Sequence, residues 1–193
     1  MKNNQQGRSM IEMLGVLAIV GLLSMAGISL YTKALYQRKV STTIDQISEI
    51  MINVRNIYKG RRNYEFPNWN KGPEADTKKI IPDSMWLKNG SAWQIKTALK
   101  QDVSLYDSCN ESSGCSGKTF YMDVAFLAMT KDDVNSCVKI ATSDWGGNIK
   151  ICVEEGGCNC TNVASCNSVL SMNDAIKGCN AVGNDRKITF YVK

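Results

Sequence analysis

Gly7-Arg8-Ser9-Met10-Ile11-Glu12 is followed by no charged residue until Lys33. A short polar leader ends in glycine, a lone carboxylate follows five residues on, and the twenty residues from Met13 to Thr32 carry no charge. Such a run is long enough to cross a hydrocarbon core of about 30 Å as a helix. A secretory signal places its small-residue cleavage site after the apolar run, so the run is lost on cutting. Here the only cleavage-like feature precedes the run, and a cut after Gly7 keeps it at the new N-terminus. An uncleaved signal anchor with a chance Gly and Glu is the competing reading.

Within the run, Gly15, Ala18, Gly21, Ser24 and Gly27 recur every three residues. At 3.6 residues per turn each step of three drifts back by about 60°. The small residues therefore wind round the helix as a spiral groove. Small residues let membrane helices approach closely, although glycine is also an ordinary component of such helices. Beyond the run, Val40, Ile44, Ile47, Met51, Val54 and Tyr58 repeat at threes and fours. That is one apolar stripe with polar residues between. With no proline before Pro67, the pattern predicts a helix from about Ser9 to Lys59, roughly 75 Å long. Gly60-Arg61-Arg62 stops it. The stripe has something to bury against, either the rest of the chain or a coiled-coil partner. Lys2 and Arg8 before the run and Lys33, Arg38 and Lys39 after it nearly balance, so flanking charge does not orient the segment.

The remainder reads as one domain. Residues 1 to 59 carry seven Lys/Arg against three Asp/Glu, and residues 60 to 193 carry sixteen against fifteen. A near-neutral head does not look like a bulk nucleic-acid binder, which clusters Lys and Arg on one face. Residues 60 to 90 hold Pro67, Gly72, Pro73, Pro82 and Gly90 among other turn formers, and read as a long ordered loop or a few short turns. Ser91-Ala92-Trp93-Gln94 has the form of a capping box opening a short helix to about Gln101. Lys118 to Met129 reads as a strand. Thr130 caps a helix to about Ile140, with Asp132 and Asp133 in its first turn as the dipole prefers. Gly147 to Glu154 reads as a strand, Ser171 to Lys177 as a short capped helix, and Arg186 to Lys193 as a final strand.

All eight cysteines, Cys109, Cys115, Cys137, Cys152, Cys158, Cys160, Cys166 and Cys179, lie in this head. An even number in an exported domain reads as a disulfide framework. Spacing alone leaves the pairing open. Cys109 and Cys115 could close a short loop, while Cys158 and Cys160 are too close to bond easily. Four thiolates from Cys152, Cys158, Cys160 and Cys166 could in principle hold zinc, but the C-x2-C knuckle is missing and the chain has no His. The reading is no metal and no cofactor. Without His, a Ser-His-Asp or Cys-His nucleophile is excluded. Gly114-Cys115-Ser116-Gly117-Lys118-Thr119 imitates a P-loop, but its first glycine belongs at position 112, which is Ser112. Asp132-Asp133 and Glu154-Glu155 read as solvated charges. Asn110-Glu111-Ser112 and Asn159-Cys160-Thr161 match the glycan acceptor pattern only weakly as signals of function.

Glycine, a cut, and glutamate at the fifth mature position before an apolar helix resemble the processing signature of type IV prepilins and the related pseudopilins of type II secretion. Gly7, Arg8 and Glu12 carry that resemblance, over about the first thirty residues. The family usually begins its mature chain with Phe, Met or Leu, and here the position is Arg8. A disulfide-closed late region with a helix before it and a C-terminal strand resembles the type IVb head, although type IVb leaders are usually longer than seven residues. The resemblance implies an α+β fold, a long N-terminal helix with a membrane-spanning first half, packed on an antiparallel-sheet head with disulfides. It implies a leader at 1–7, a membrane and filament-core helix at 8–33, its amphipathic continuation at 34–59, and a head at 60–193. It further implies cleavage between Gly7 and Arg8, N-methylation of Arg8, an assembly role for Glu12, and a Cys137–Cys179 disulfide. The expected function is that of a non-enzymatic pilus subunit. Its partners would be identical subunits, a prepilin peptidase, an assembly platform with its ATPase, and the bacterial inner membrane before assembly at the cell surface. A minor pilin or pseudopilin, and an anchored disulfide-rich binding domain that never polymerises, are the alternatives.

Overall fold

The computed structural model describes residues 10–61, 64, 66–107, 119–154, 169–180 and 182–192. The chain divides into two units, Met1–Lys39 and Val40–Lys193. Helix α1 (Met10–Ile57) contributes to both. The fold is α+β: a long N-terminal helix packs on an antiparallel-sheet head that contains a Cys137–Cys179 disulfide.

The predicted helix from Ser9 to Lys59 is realised as the 48 residues of α1. Residues 10–35 are exposed throughout. From Val40 the helix becomes one-sided. Val40, Ile47, Met51, Val54 and Tyr58 of the predicted stripe are buried, and Ile44 packs partly buried against the same core. Thr43, Gln46 and Ile50 are buried beside them, so the stripe is wider than the apolar pattern alone indicates. Tyr58 N still donates to Val54 O at 3.0 Å. Gly60 then takes φ 85°, the left-handed conformation in which helices commonly terminate.

Among the described residues, the loop-rich stretch after α1 holds two single 3₁₀ turns, Trp69–Lys71 and Asp83–Met85. The segment from Ser91 to Gln101 corrects the sequence reading. No helix forms there. Strands β1 (Trp86–Asn89) and β2 (Ala92–Ile95) pair as an antiparallel hairpin, with Asn89 opposite Ala92. That register leaves Gly90-Ser91 as a two-residue loop. Gly90 sits at φ 61° while Ser91 does not enter the left-handed region. This is the type II′ pattern, whose first central position calls for glycine and whose twist suits the flanking strands. Trp86 and Trp93 meet edge to face across the hairpin at 6.5 Å. A helix of about ten residues has little stability of its own, so the local capping signal loses to strand pairing.

The main sheet has the order β3 (Asp102–Asp107), β4 (Phe120–Phe126), β6 (Arg186–Val192), β5 (Ile149–Glu154), and every neighbouring pair is antiparallel. The last strand of the chain is thus an interior strand. The sequence reading placed β4, β5 and β6 and did not place β3. Leu105, Met122, Phe190 and Ile151 line up across the four strands, as do Val103, Val124, Ile188 and Val153. All eight are buried and share one core with Ile47, Ile50, Met51 and Val54 of α1. Helices α2 (Lys131–Ala141) and α3 (Met172–Cys179) form where their caps predict. Thr130 and Asp133 make a reciprocal capping box, and Ser171 accepts from Asp174 N.

Candidate functional site

Two features are built to do something, one in each unit. The first is the apolar half of α1. Glu12 lies in its first turn, where a carboxylate suits the positive end of the helix dipole. Gly15, Gly21 and Gly27 have open space where a side chain would begin, with nothing within 4 Å. Ser24 turns its hydroxyl back to Val20 O at 2.8 Å, which removes a polar group from the helix surface. Large side chains all round this stretch face outward: Leu14, Leu17, Leu22, Leu23, Ile28 and Leu30 are each 60 % exposed or more. Among the described residues, α1 is the one helix long and apolar enough to cross a membrane. Gly7 and Arg8 lie outside the described residues.

The second feature is the braced late region of the head. Cys137 on α2 and Cys179 on α3 are joined by a disulfide with their Cα atoms 5.9 Å apart. Both are fully buried. The bond spans a sequence separation of 42, and a bridge across a loop of that length stabilises chiefly by restricting the unfolded state. Next to it, Gly178 lets α3 come down onto β5. A Cβ there would lie 2.8 Å from both Cβ and the carbonyl oxygen of Val153. Cys152 is also disulfide-bonded, which removes one of the four thiolates that a zinc site at Cys152, Cys158, Cys160 and Cys166 requires. No described cysteine is free. Cys109, Cys115, Cys158, Cys160 and Cys166 lie outside the described residues, as does the loop proposed to close between the first two.

The sheet face turned away from the core is polar and aromatic. Tyr106, Tyr121, Tyr191 and Lys150 form one row across the strands, and Ser104, Asp123, Thr189 and Cys152 the next. The rings of Tyr121 and Tyr191 meet at a tilt of 57°, their centroids 5.0 Å apart. Asp123 accepts from Thr189 Oγ1 at 2.8 Å and lies 3.9 Å from Lys187 Nζ. Burial pushes its carboxyl above the ordinary value, and the Thr189 hydrogen bond and Lys187 oppose that shift without cancelling it. Burial also raises Tyr121, helped by Tyr191, and raises Tyr64 against the opposing charge of Arg55.

Gln46 was missed in the sequence because it interrupts an apolar stripe. Its Oε1 accepts from Ala98 N at 2.9 Å and so ties α1 to the turn after β2. A polar residue at a core-facing helical position was the available signal.

The head has a type IVb pilin-like fold. It is similar to a solved structure described as the crystal structure of type IVb pilin from Salmonella typhi, with a TM-score of 0.53 and 14 % sequence identity. The match covers 78 % of this chain and 97 % of that one. At that identity the likeness is one of fold. No protein-family model matches the chain, and no curated protein matches it.

Proposed function

We propose that the chain is a structural subunit of a type IV pilus-like filament, polymerised through the first half of α1. One observation carries this reading. A single helix is apolar and exposed on all sides over its first half, then one-sided and buried from Val40 onward. A contiguous apolar surface of that extent calls for a non-aqueous partner. Lipid supplies it before assembly, and a bundle of like helices supplies it afterwards. The spiral of Gly15, Ala18, Gly21, Ser24 and Gly27 gives such a bundle room for close approach.

The same reading assigns the flanking residues. A prepilin peptidase cuts between Gly7 and Arg8 and methylates the new amine. Glu12 would be costly as an unpaired charge within the bilayer, by about 3 kcal/mol on insertion scales. It therefore pairs with the positive N-terminus of a neighbouring subunit, here the amine of Arg8. That pairing draws subunits into register as an assembly platform and its ATPase extrude the filament. The mature chain waits in the inner membrane with its head outside the cytoplasm, and ends on the cell surface. The role is structural, with no catalytic residue assigned.

The test uses cells with no wild-type copy. Glu12→Val is expected to be exported and cleaved yet to yield few fibres, while Gly7→Val leaves uncut precursor in the membrane. Wild-type fibre yield from Glu12→Val contradicts the pairing role.

A further inference from the structure

Among the described residues, two that are not glycine have positive φ: Lys100 at 68° and Ala128 at 50°. Lys100 lines a cleft, and Ala128 directly follows Leu127 of the same lining. The cleft encloses about 230 Å³ between the β2–β3 turn, the end of β4 and Asp133 in the first turn of α2. Left-handed backbone at a residue with a Cβ costs on the order of 1–2 kcal/mol. Such conformations persist where the surroundings impose them, and they concentrate at binding sites.

The surroundings impose both. In the turn, Thr97 N donates to Gln101 O at 3.0 Å and Lys100 N to Thr97 O at 2.8 Å. Thr97 and Gln101 are buried, and the Gln46 amide of α1 holds Ala98 N from behind. Just beyond Leu127 on the other side, Ala128 N donates to Asp185 Oδ1 at 2.8 Å, and Gly183 N donates to Met129 O at 2.9 Å. The cleft is therefore shaped in advance by rigid elements, as binding sites require.

Its charges are unequally committed. Lys96 Nζ and Asp102 Oδ1 pair at 2.6 Å. The Asp133 carboxylate accepts from Thr130 N at 2.9 Å and from Thr130 Oγ1 at 2.7 Å. The Lys100 ammonium has no ion pair or hydrogen bond among the described residues. Glycine or asparagine would take its left-handed position more cheaply, so the turn itself has no need of a lysine. Leu99 and the exposed Leu127 add an apolar flank.

We propose that this cleft binds a sugar acid. The carboxylate sits on Lys100, the C–H face of the ring on Leu99 and Leu127, and the hydroxyls against the Lys96–Asp102 pair. The volume is below the roughly 300–1,000 Å³ of pockets that hold drug-sized ligands, which fits a single ring. A free uronate and a glycan ending in one share this chemistry.

The experiment titrates the detergent-solubilised full-length chain with glucuronate, with a disaccharide ending in glucuronate, and with glucose, read by saturation-transfer NMR. Saturable binding of at least one acid is expected, with glucose at least tenfold weaker. Binding of the disaccharide as well as the free acid assigns a glycan terminus, and binding of the free acid alone assigns the small molecule. Lys100→Asn keeps the left-handed backbone and removes the cation. It is expected to weaken binding at least tenfold while the melting temperature holds or rises, and Lys100→Arg to retain binding. No saturable binding of either acid, equal binding of glucose, or unchanged binding by Lys100→Asn overturns the proposal.

Discussion

The two halves of α1 have similar helical geometry and opposite relations to water. Leu14, Leu17 and Leu22 are 63–69 % exposed, whereas Ile47, Ile50 and Val54 are fully buried. The difference lies in pattern rather than in hydrophobicity. From Met13 to Thr32 apolar and small residues occupy every face, so no single packing surface can cover them. From Val40 to Tyr58 the buried apolar residues keep to one stripe, and the opposite, exposed face carries Asp45, Glu49 and Asn56. One half is written for an environment that surrounds it, and the other for a core that touches it from one side. Substitutions in the two halves should therefore fail in different assays.

Ile50→Ala should show the largest effect, a loss of about 2–5 kcal/mol of head stability from lost burial and an unfilled cavity. Denaturant unfolding in detergent measures it, and matched Leu17→Ala should leave that transition unmoved. Equal losses from both would erase the contrast. Cys137→Ser should cost about 2–4 kcal/mol and lower the abundance of exported chain, without changing membrane fractionation. The converse probe is Leu17→Arg, which adds about 2.5–3.5 kcal/mol to insertion at mid-membrane. It should shift the chain out of the membrane fraction and leave head melting as it was. Gly178→Ala should cost about 1–3 kcal/mol, because backbone of Val153 stands where the methyl must go. Proteolysis should then open α3 first.

The smallest effect is a pH slope. The folded Asp123 carboxyl holds its proton to higher pH than the unfolded one, whose ordinary value is 3.8. Stability from this group is thus fully present below about pH 4 and falls as pH rises through the folded value. Asp123→Asn should flatten that part of the stability profile and leave the insertion of α1 unchanged. A slope that survives the substitution assigns it to other groups.

Much of this was legible in the chain. The helix was readable because fifty residues without proline give both an apolar run and a stripe, and such long periodic signals outweigh local propensity. Helices α2 and α3 announced themselves through Thr130 with Asp133 and Ser171 with Asp174, since a cap is a local interaction. The β1–β2 hairpin was not read, because Ser91-Ala92-Trp93-Gln94 fits a capping box as well as a strand start. Gly90-Ser91 was the stronger signal, a two-residue type II′ loop that the pairing of Asn89 with Ala92 requires. Strand β3 also carries its pattern, with Val103 and Leu105 inward between Asp102, Ser104 and Tyr106. Six alternating residues directly after a predicted helix are a short signal, and their partners on β4 begin only at Phe120. The cleft at Lys100 was invisible, because its lining comes from the β2–β3 turn, the end of β4 and the start of α2, which are distant in sequence.

N-terminal mass spectrometry of fibres sheared from cells expressing the chain tests the central claim most directly. The account predicts abundant fibres built of chains that begin at N-methylated Arg8 and keep the whole apolar half of α1. Cell-bound monomer beginning at Met1, with no fibres in the sheared fraction, contradicts it.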